Sequence, residues 1–216
     1  MFARARENAR RASCQSNLKQ IGLGIVQYTQ DYDEKYPYAA GAGTNGSFTS
    51  SNTLAADYIM PYLKSTQIWV CPSNTVTNMV GQPRGGAPDQ AINNLWLSYP
   101  PVCDYTSGGG VPGIGTGWAA FTESSGSGAP TSLSEFTNTA ETFLAGDSPG
   151  TNASGTYYYG YCIAPNNVFY TPVPSAVHLE GGNWLFADGH VKWMKPEKAN
   201  STLNGTTYWY WRRVKP

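Results

Sequence analysis

Residues 178–193 read HLEGGNWLFADGHVKW, and their central part decides the fold. Two short runs of alternating apolar and polar residues, 183–187 and 190–194, flank the dipeptide Asp188-Gly189. Asp-Gly between alternating runs predicts a β-hairpin closed by a two-residue type I′ turn. In that register Ala187 faces His190, Phe186 faces Val191 and Trp184 faces Trp193. Trp184, Phe186, Val191 and Trp193 then share one face, and such cross-strand pairs contribute roughly 0.2–1 kcal/mol each. An aromatic face of this kind needs a partner, which the start of the chain supplies.

From Phe2 to about Tyr32 only Gly22 and Gly24 weaken a helical reading. Cys14, Leu18, Ile21, Ile25, Tyr28 and Tyr32 recur at steps of three and four, so they form one stripe predicted to lie on the hairpin. The earlier turns differ, because Arg4, Arg6, Arg10 and Arg11 stand among alanines without a large apolar face. That half is predicted to project from the body as a stalk. It opens without an N-cap, like the second half of a longer helix. Pro37 is the expected stop.

Farther along, Ser51 or Asn52 reads as the cap of a short helix from Leu54 to about Leu63, kinked at Pro61, and "IWVCPS" follows as a strand. Residues 74–135 are dominated by loop composition and predict a surface elaboration rather than core. Strands are expected at 140–146 and around 155–164, with "TTYWYWRRV" adding a last strand or arm. The division is therefore a helix, 1–36, and a head, 37–216, carrying the 74–135 insertion. No internal repeat is present.

Composition excludes several function classes. The chain has 216 residues, 14 basic and 14 acidic, and zero formal net charge, so no electrostatic footprint for nucleic acid exists. With 40% hydrophobic and 13% aromatic residues it has enough apolar material for a core. Gly, Pro, Tyr and uncharged polar residues dominate the rest, as is common in exported proteins. Neither a signal peptide nor a membrane span is legible. The four cysteines, Cys14, Cys71, Cys103 and Cys162, form no C-x-x-C pair, which argues against a zinc ribbon. Two disulfides are expected among three possible connectivities, Cys14–Cys71 with Cys103–Cys162 being preferred over the others and over buried free thiols.

The two histidines, His178 and His190, invite a metal reading with Asp188 and Asp147. Three ligands must converge for zinc, and the hairpin opposes this. Asp188 sits at the turn tip to permit positive φ beside Gly189, and His190 lies next to the turn on the face opposite the tryptophans. His178 precedes the strand in a loop, where a hydrogen bond pinning loop to turn is the expected role. "GGGVPGIG" lacks the strand and helix of a dinucleotide site, and "GTNGS" and "ESSGSG" lack the context of a nucleophile elbow. "DYDEKY" (Asp31, Asp33, Glu34) lacks the glycine and terminal glutamate of an EF-hand, so it reads as a solvated helix end. No cofactor is expected, a calcium ion at Asp147 or the C-terminal loops being the one exception kept open. Seven tryptophans and fifteen tyrosines, among them Tyr157–Tyr161, also suit sugar stacking or subunit contact.

Two stretches carry a family resemblance. "FARARENARRASCQSNLKQIGLGIVQYTQDYDEKYP" resembles the region after the membrane segment of bacterial type IV pilin-like proteins, in particular the pseudopilin-type proteins of the prepilin cleavage/methylation class. "HLEGGNWLFADGHVKWMKP" is similar to the C-terminal His-x9-Asp-Gly signature of one branch, and "LKSTQIWVCPS" to that branch's Cys-Pro segment. The resemblance implies an α+β pilin-like fold, with a long N-terminal helix on an antiparallel sheet and large loop insertions. It further implies a leader cleaved by a prepilin peptidase and an apolar helix beginning with Phe and bearing an early Glu, both missing here. A non-enzymatic filament subunit of type II secretion or type IV pilus type follows, extracytoplasmic and held in the inner membrane before assembly. Its partners are other copies and pilin-like subunits, the peptidase and the assembly machinery. The rival readings are a surface-displayed module binding a glycan or other ligand through 74–135 and the Tyr157–Tyr159 run, and a metal-dependent hydrolase using His178, Asp188 and His190.

Overall fold

The computed structural model describes residues 2–37, 55–73, 98–99, 102–104, 121–122, 130–148, 176–203, 207–208 and 210–211. The fold is α+β: a long N-terminal helix lies across a small antiparallel sheet. Helix α1 runs Phe2–Asp31 and is followed by α2 (Ala55–Ile59), which tightens into a 3₁₀ turn over Met60–Tyr62. The sheet consists of β3 (Phe143–Gly146), β4 (Gly182–Phe186) and β5 (Val191–Met194) in that order. Two parallel bridging pieces, β1 (Cys103–Asp104) and β2 (Phe121–Thr122), precede it. A helical turn α3 (Pro196–Ala199) and a small pair, β6 (Thr202–Leu203) with β7 (Thr207–Tyr208), close the chain.

Alanine, leucine, glutamine and arginine favour helix, and nothing in α1 breaks the pattern before its end. Its buried stripe is Cys14, Leu18, Ile21, Ile25 and Tyr28, as the periodicity predicts. Tyr32 leaves the stripe: it is exposed and stacks on Tyr28 with ring centres 4.1 Å apart. The helix ends well before Pro37, because Asp33 and Glu34 take positive φ of 52° and 56°. The Glu34 N–H then reaches back to the Thr29 carbonyl at 2.9 Å, closing the last turn as helix C-termini commonly do. Pro61 falls at the kink into the 3₁₀ turn, as expected. "IWVC" departs from its predicted strand: Thr66–Trp69 is a 3₁₀ turn, capped by the Ser65 hydroxyl, that carries Ile68 and Trp69 into the core.

The hairpin forms, but one residue out of the predicted register. Asn183 pairs with Trp193, Trp184 with Lys192 and Leu185 with Val191. The Phe186 N–H donates to the His190 carbonyl, and Gly189 N–H to the Phe186 carbonyl, both at 2.9 Å. Ala187-Asp188-Gly189 is therefore a three-residue loop whose positive φ falls on Gly189 at 88°, a type I turn with a bulge. Asp188 does not supply positive φ. Its carboxylate instead accepts from the His190 backbone N–H at 3.1 Å and from the His190 ring.

A one-residue slip moves every side chain to the other face of its partner. Trp184 and Trp193 consequently lie on opposite faces, and the helix does not dock on Trp184 and Phe186. It docks on Leu185 and Ala187, with Val191 beside them. Gly22 lets the backbones approach, since a Cβ there would stand 2.8 Å from Leu185 Cδ1. Trp184 and Phe186 point rearward into a second core with Phe143, Val102, Met194, Ala199 and Trp211. Phe143 stacks on Trp184 at 4.4 Å, Trp211 meets Trp184 edge-on at 5.2 Å, and the Trp211 indole N–H donates to the Ala199 carbonyl. The sheet is thus covered on both faces, by α1 in front and the C-terminal segment behind.

The 74–135 stretch is not all surface. Ser98, Tyr99 and Val102 are buried, and Val102 N–H donates to the Leu144 carbonyl at 2.7 Å. The strand expected at 155–164, the Tyr157–Tyr161 run and the cap at Ser51 or Asn52 lie outside the described residues.

Candidate functional site

The one dense cluster of ionisable and sulfur side chains among the described residues sits where α1 crosses the start of β4. Its centre is His178, wholly buried. A tight turn delivers it: His178 and Gly181 exchange backbone hydrogen bonds across Leu179-Glu180, and Leu179 takes a φ of 61°. A leucine in the left-handed region stores backbone strain, which persists where surrounding contacts fix the geometry. Here the indole N–H of Trp193 donates to the His178 carbonyl at 3.3 Å, holding the turn down.

The imidazole joins three elements. Nδ1 lies 2.8 Å from Glu7 Oε1 on the second turn of α1. Nε2 lies 3.4 Å from Asp147 Oδ2, just past β3, and 3.3 Å from Cys71 Sγ. Cys71 is bonded to Cys14 of α1, with Cα atoms 5.4 Å apart. Around this core, Ser73 Oγ donates to Glu7 Oε1 at 2.6 Å and the Asn183 N–H donates to Asp147 Oδ2. Arg10 lies 3.7 Å from Glu7, and Arg11 stands 5.5 Å above the Trp193 ring.

Burial decides the protons. It lowers the basicity of His178, outweighing the hydrogen bond and charge of Glu7, so the ring is neutral at pH 7. It pushes the Asp147 carboxyl up to about 7 against the pull of the Asn183 amide. Burial also raises Glu7, but the hydrogen bonds from Ser73 and His178 and the nearby charge of Arg10 hold it below its usual value. Glu7 is therefore a carboxylate and only accepts, which places the single imidazole proton on Nδ1. Nε2 is left with its lone pair directed toward Asp147 and the sulfurs. Tyr99, whose hydroxyl accepts from Asn17 Nδ2 at 3.3 Å, is pushed far up by burial and then by Asp147.

Of the sequence-predicted candidates, the structure brings Asp147 and His178 together and leaves Asp188 out. Asp188 and His190 stand at the far end of β4, where the His190 ring stacks on Phe186 at 4.1 Å. The His-x9-Asp-Gly signature therefore brackets one strand, its His fastening the start and its Asp-Gly turning the end. His178 is not bonded to the turn, as expected from sequence, but to the helix. The arginine-bearing half of α1 is likewise not wholly a free stalk: it is tied at Glu7 and Arg11, and only its first turn, with Phe2 89% exposed, stands clear. Asp31, Asp33 and Glu34 form an exposed helix end, with Asp31 accepting from the Tyr62 hydroxyl at 2.7 Å. Cys14–Cys71 is present. Cys162 and the side chain of Cys103 lie outside the described residues.

Sequence reasoning missed Glu7, yet a signal existed. Glu7 is the sole acidic residue before Asp31, and it stands seven positions before Cys14, in line with the buried stripe. Tyr99 offered no such signal, being embedded in a stretch of loop composition.

Residues 3–96 match a family model described as "Protein of unknown function (DUF1559)". The matched part contains α1 from Ala3 onward, with Glu7 and both cysteines of the disulfide, whereas Asp147 and His178 fall beyond it. No curated protein and no solved structure matches the chain.

Proposed function

We propose that this protein is a non-enzymatic structural subunit of an extracytoplasmic filament of pilus-like or pseudopilus type. The observation that carries the reading is the seating of α1. From Glu7 onward the helix is fastened to the head by the disulfide, the His178 cluster and the buried stripe, while its first turn leaves the body. A rigidly seated helix that continues beyond its head is what a subunit needs in order to transmit position along a fibre. The resemblance of residues 2–37 and 178–196 to pilin-like proteins points the same way.

On this reading the cluster is a clasp. Cys14, Cys71, Asp147 and His178 are buried, Glu7 is partly exposed at the rim, and the cluster joins α1, the Cys71 segment, β3 and the start of β4 at one point. Copies of this chain and related subunits are the partners, and the cell envelope or surface is the location. No helix among the described residues is long and apolar enough to cross a membrane.

The test is immunogold labelling of filaments sheared from the native cells, using antibody against the head. Decoration along filaments is expected, together with a native chain whose helix is headed by an apolar segment. Recovery of the antigen solely as a soluble monomer, with its native start at Met1, overturns the reading.

A further inference from the structure

We propose that the thiol form of this protein holds a zinc-type divalent cation at the clasp, with Cys14 Sγ, Cys71 Sγ, His178 Nε2 and Asp147 Oδ2 as the four ligands. The two sulfurs and a ring nitrogen of His178 lie within 4.8 Å of one another, all in buried residues. Asp147 Oδ2 stands 3.4 Å from Nε2, outside that trio, and would close on the cation as the fourth ligand. Two soft sulfurs, one imidazole and one carboxylate are a ligand set suited to zinc and complete a tetrahedral shell.

The surroundings match what such a set requires. A ligating histidine keeps its other nitrogen protonated and donates it to a carboxylate, which fixes ring and tautomer. Glu7 does this at Nδ1, and is itself oriented by Ser73 and Arg10. The Asn183 N–H orients Asp147 in the same manner. The disulfide alone needs none of this: a neutral apolar pocket would shelter it equally well. That a strained turn aims a buried, pre-oriented imidazole lone pair at the sulfurs is the feature the cation explains.

The chemistry balances with a dithiol as reductant. The dithiol transfers two electrons and two protons to the Cys14–Cys71 bond, giving two thiols, and is itself oxidised to a disulfide. Cation binding then releases both thiol protons and any proton held by Asp147. A newly made chain reaches the same thiol state without a reductant. The disulfide and the cation thus fasten the same elements in alternative states. This inference does not depend on the filament reading.

The experiment uses the full chain, reduced with a phosphine and freed of reductant without oxygen, and titrated with Co²⁺ and Zn²⁺. One Co²⁺ per chain is expected, with the thiolate-to-cobalt charge-transfer band of a tetrahedral site, and none in the disulfide form. X-ray absorption of the zinc-loaded, unsubstituted chain should show two sulfurs at about 2.3 Å and two nitrogen or oxygen atoms at about 2.0–2.2 Å. Bound zinc should shield Cys14 and Cys71 from alkylation while Cys103 and Cys162 still react. Glu7→Gln should weaken binding roughly 10–100-fold. Absence of binding, fewer than two sulfurs in the shell, or shielding confined to Cys103 and Cys162 overturns the proposal without recourse to any variant.

Discussion

The hairpin register can be tested through the contact between Gly22 and Leu185. In the observed register Leu185 faces α1 and is fully buried, and a Cβ at Gly22 would stand 2.8 Å from its Cδ1 and 3.6 Å from its Cδ2. Leu185→Ala removes the atoms filling that space and should cost about 3 kcal/mol, within the range of buried leucine truncations. Gly22→Ala gains about 1 kcal/mol of helix propensity but forces Leu185 aside, at a cost of roughly 1–3 kcal/mol. Its net effect should be a loss of about 1 kcal/mol. In the double variant the new methyl enters the space left by Leu185, so the clash vanishes and part of the cavity is filled. The double variant should then lose about 2 kcal/mol where additivity demands about 4, a coupling of about 2 kcal/mol. Urea denaturation of the disulfide-bonded chains, followed by far-ultraviolet circular dichroism, measures all four corners. In the two-residue-turn register Leu185 would face away from α1, and the two losses would simply add. A coupling below about 0.5 kcal/mol would therefore refute the register argument.

Three further outcomes are expected. Opening the Cys14–Cys71 bond, which closes a separation of 57 residues, should lower stability by about 4 kcal/mol on the chain-entropy relation, read as a shift of the urea midpoint in metal-free reductant; a loss under about 1 kcal/mol contradicts the seating of α1. Asp147 is raised by burial from 3.8 to about 7, so its favourable contribution is complete below the unfolded value and is lost as pH rises through about 7. The disulfide-bonded parent should accordingly lose stability relative to Asp147→Asn between about pH 5 and about pH 8, and a flat or rising difference would be wrong for a buried acid. His178, lowered by burial, acts in the opposite direction, toward acid loss, and is common to both chains. Glu7→Ala should accelerate amide exchange in the first three turns of α1 while leaving the buried stripe from Leu18 to Tyr28 protected; uniform exchange along the helix would mean that Glu7 does not hold those turns.

Much of this protein is legible in its sequence because the signals are local. The three- and four-residue spacing of Cys14, Leu18, Ile21, Ile25 and Tyr28 specifies the buried face of α1, since helix geometry alone aligns those positions. Asp-Gly between alternating runs specifies a hairpin, and the preference for Cys14–Cys71 matches the bond present. The register is different. Asp-Gly serves a two-residue turn and also a three-residue loop with Gly189 in the left-handed position, and the two differ by one residue. Alternation cannot choose between them, because β4 is buried on both faces and every residue from Gly182 to Phe186 is shielded. Only the packing of Leu185 under Gly22 and of Trp184 against Phe143 and Trp211 makes the choice.

The clasp is likewise a product of tertiary structure. Its members stand at positions 7, 14, 71, 147 and 178, and beyond the helical step from Glu7 to Cys14 no local spacing links them. Sequence supplied a lone acid on the helical stripe and a histidine before a strand, each unremarkable by itself. Folding brought them together where the ring, shielded from water, must find partners, and beside Asp147, whose buried carboxyl is pushed toward its protonated form. Burial is a property of the whole packed chain, so the role of His178 was decided there, whereas the helix that it fastens was already specified by the order of its residues.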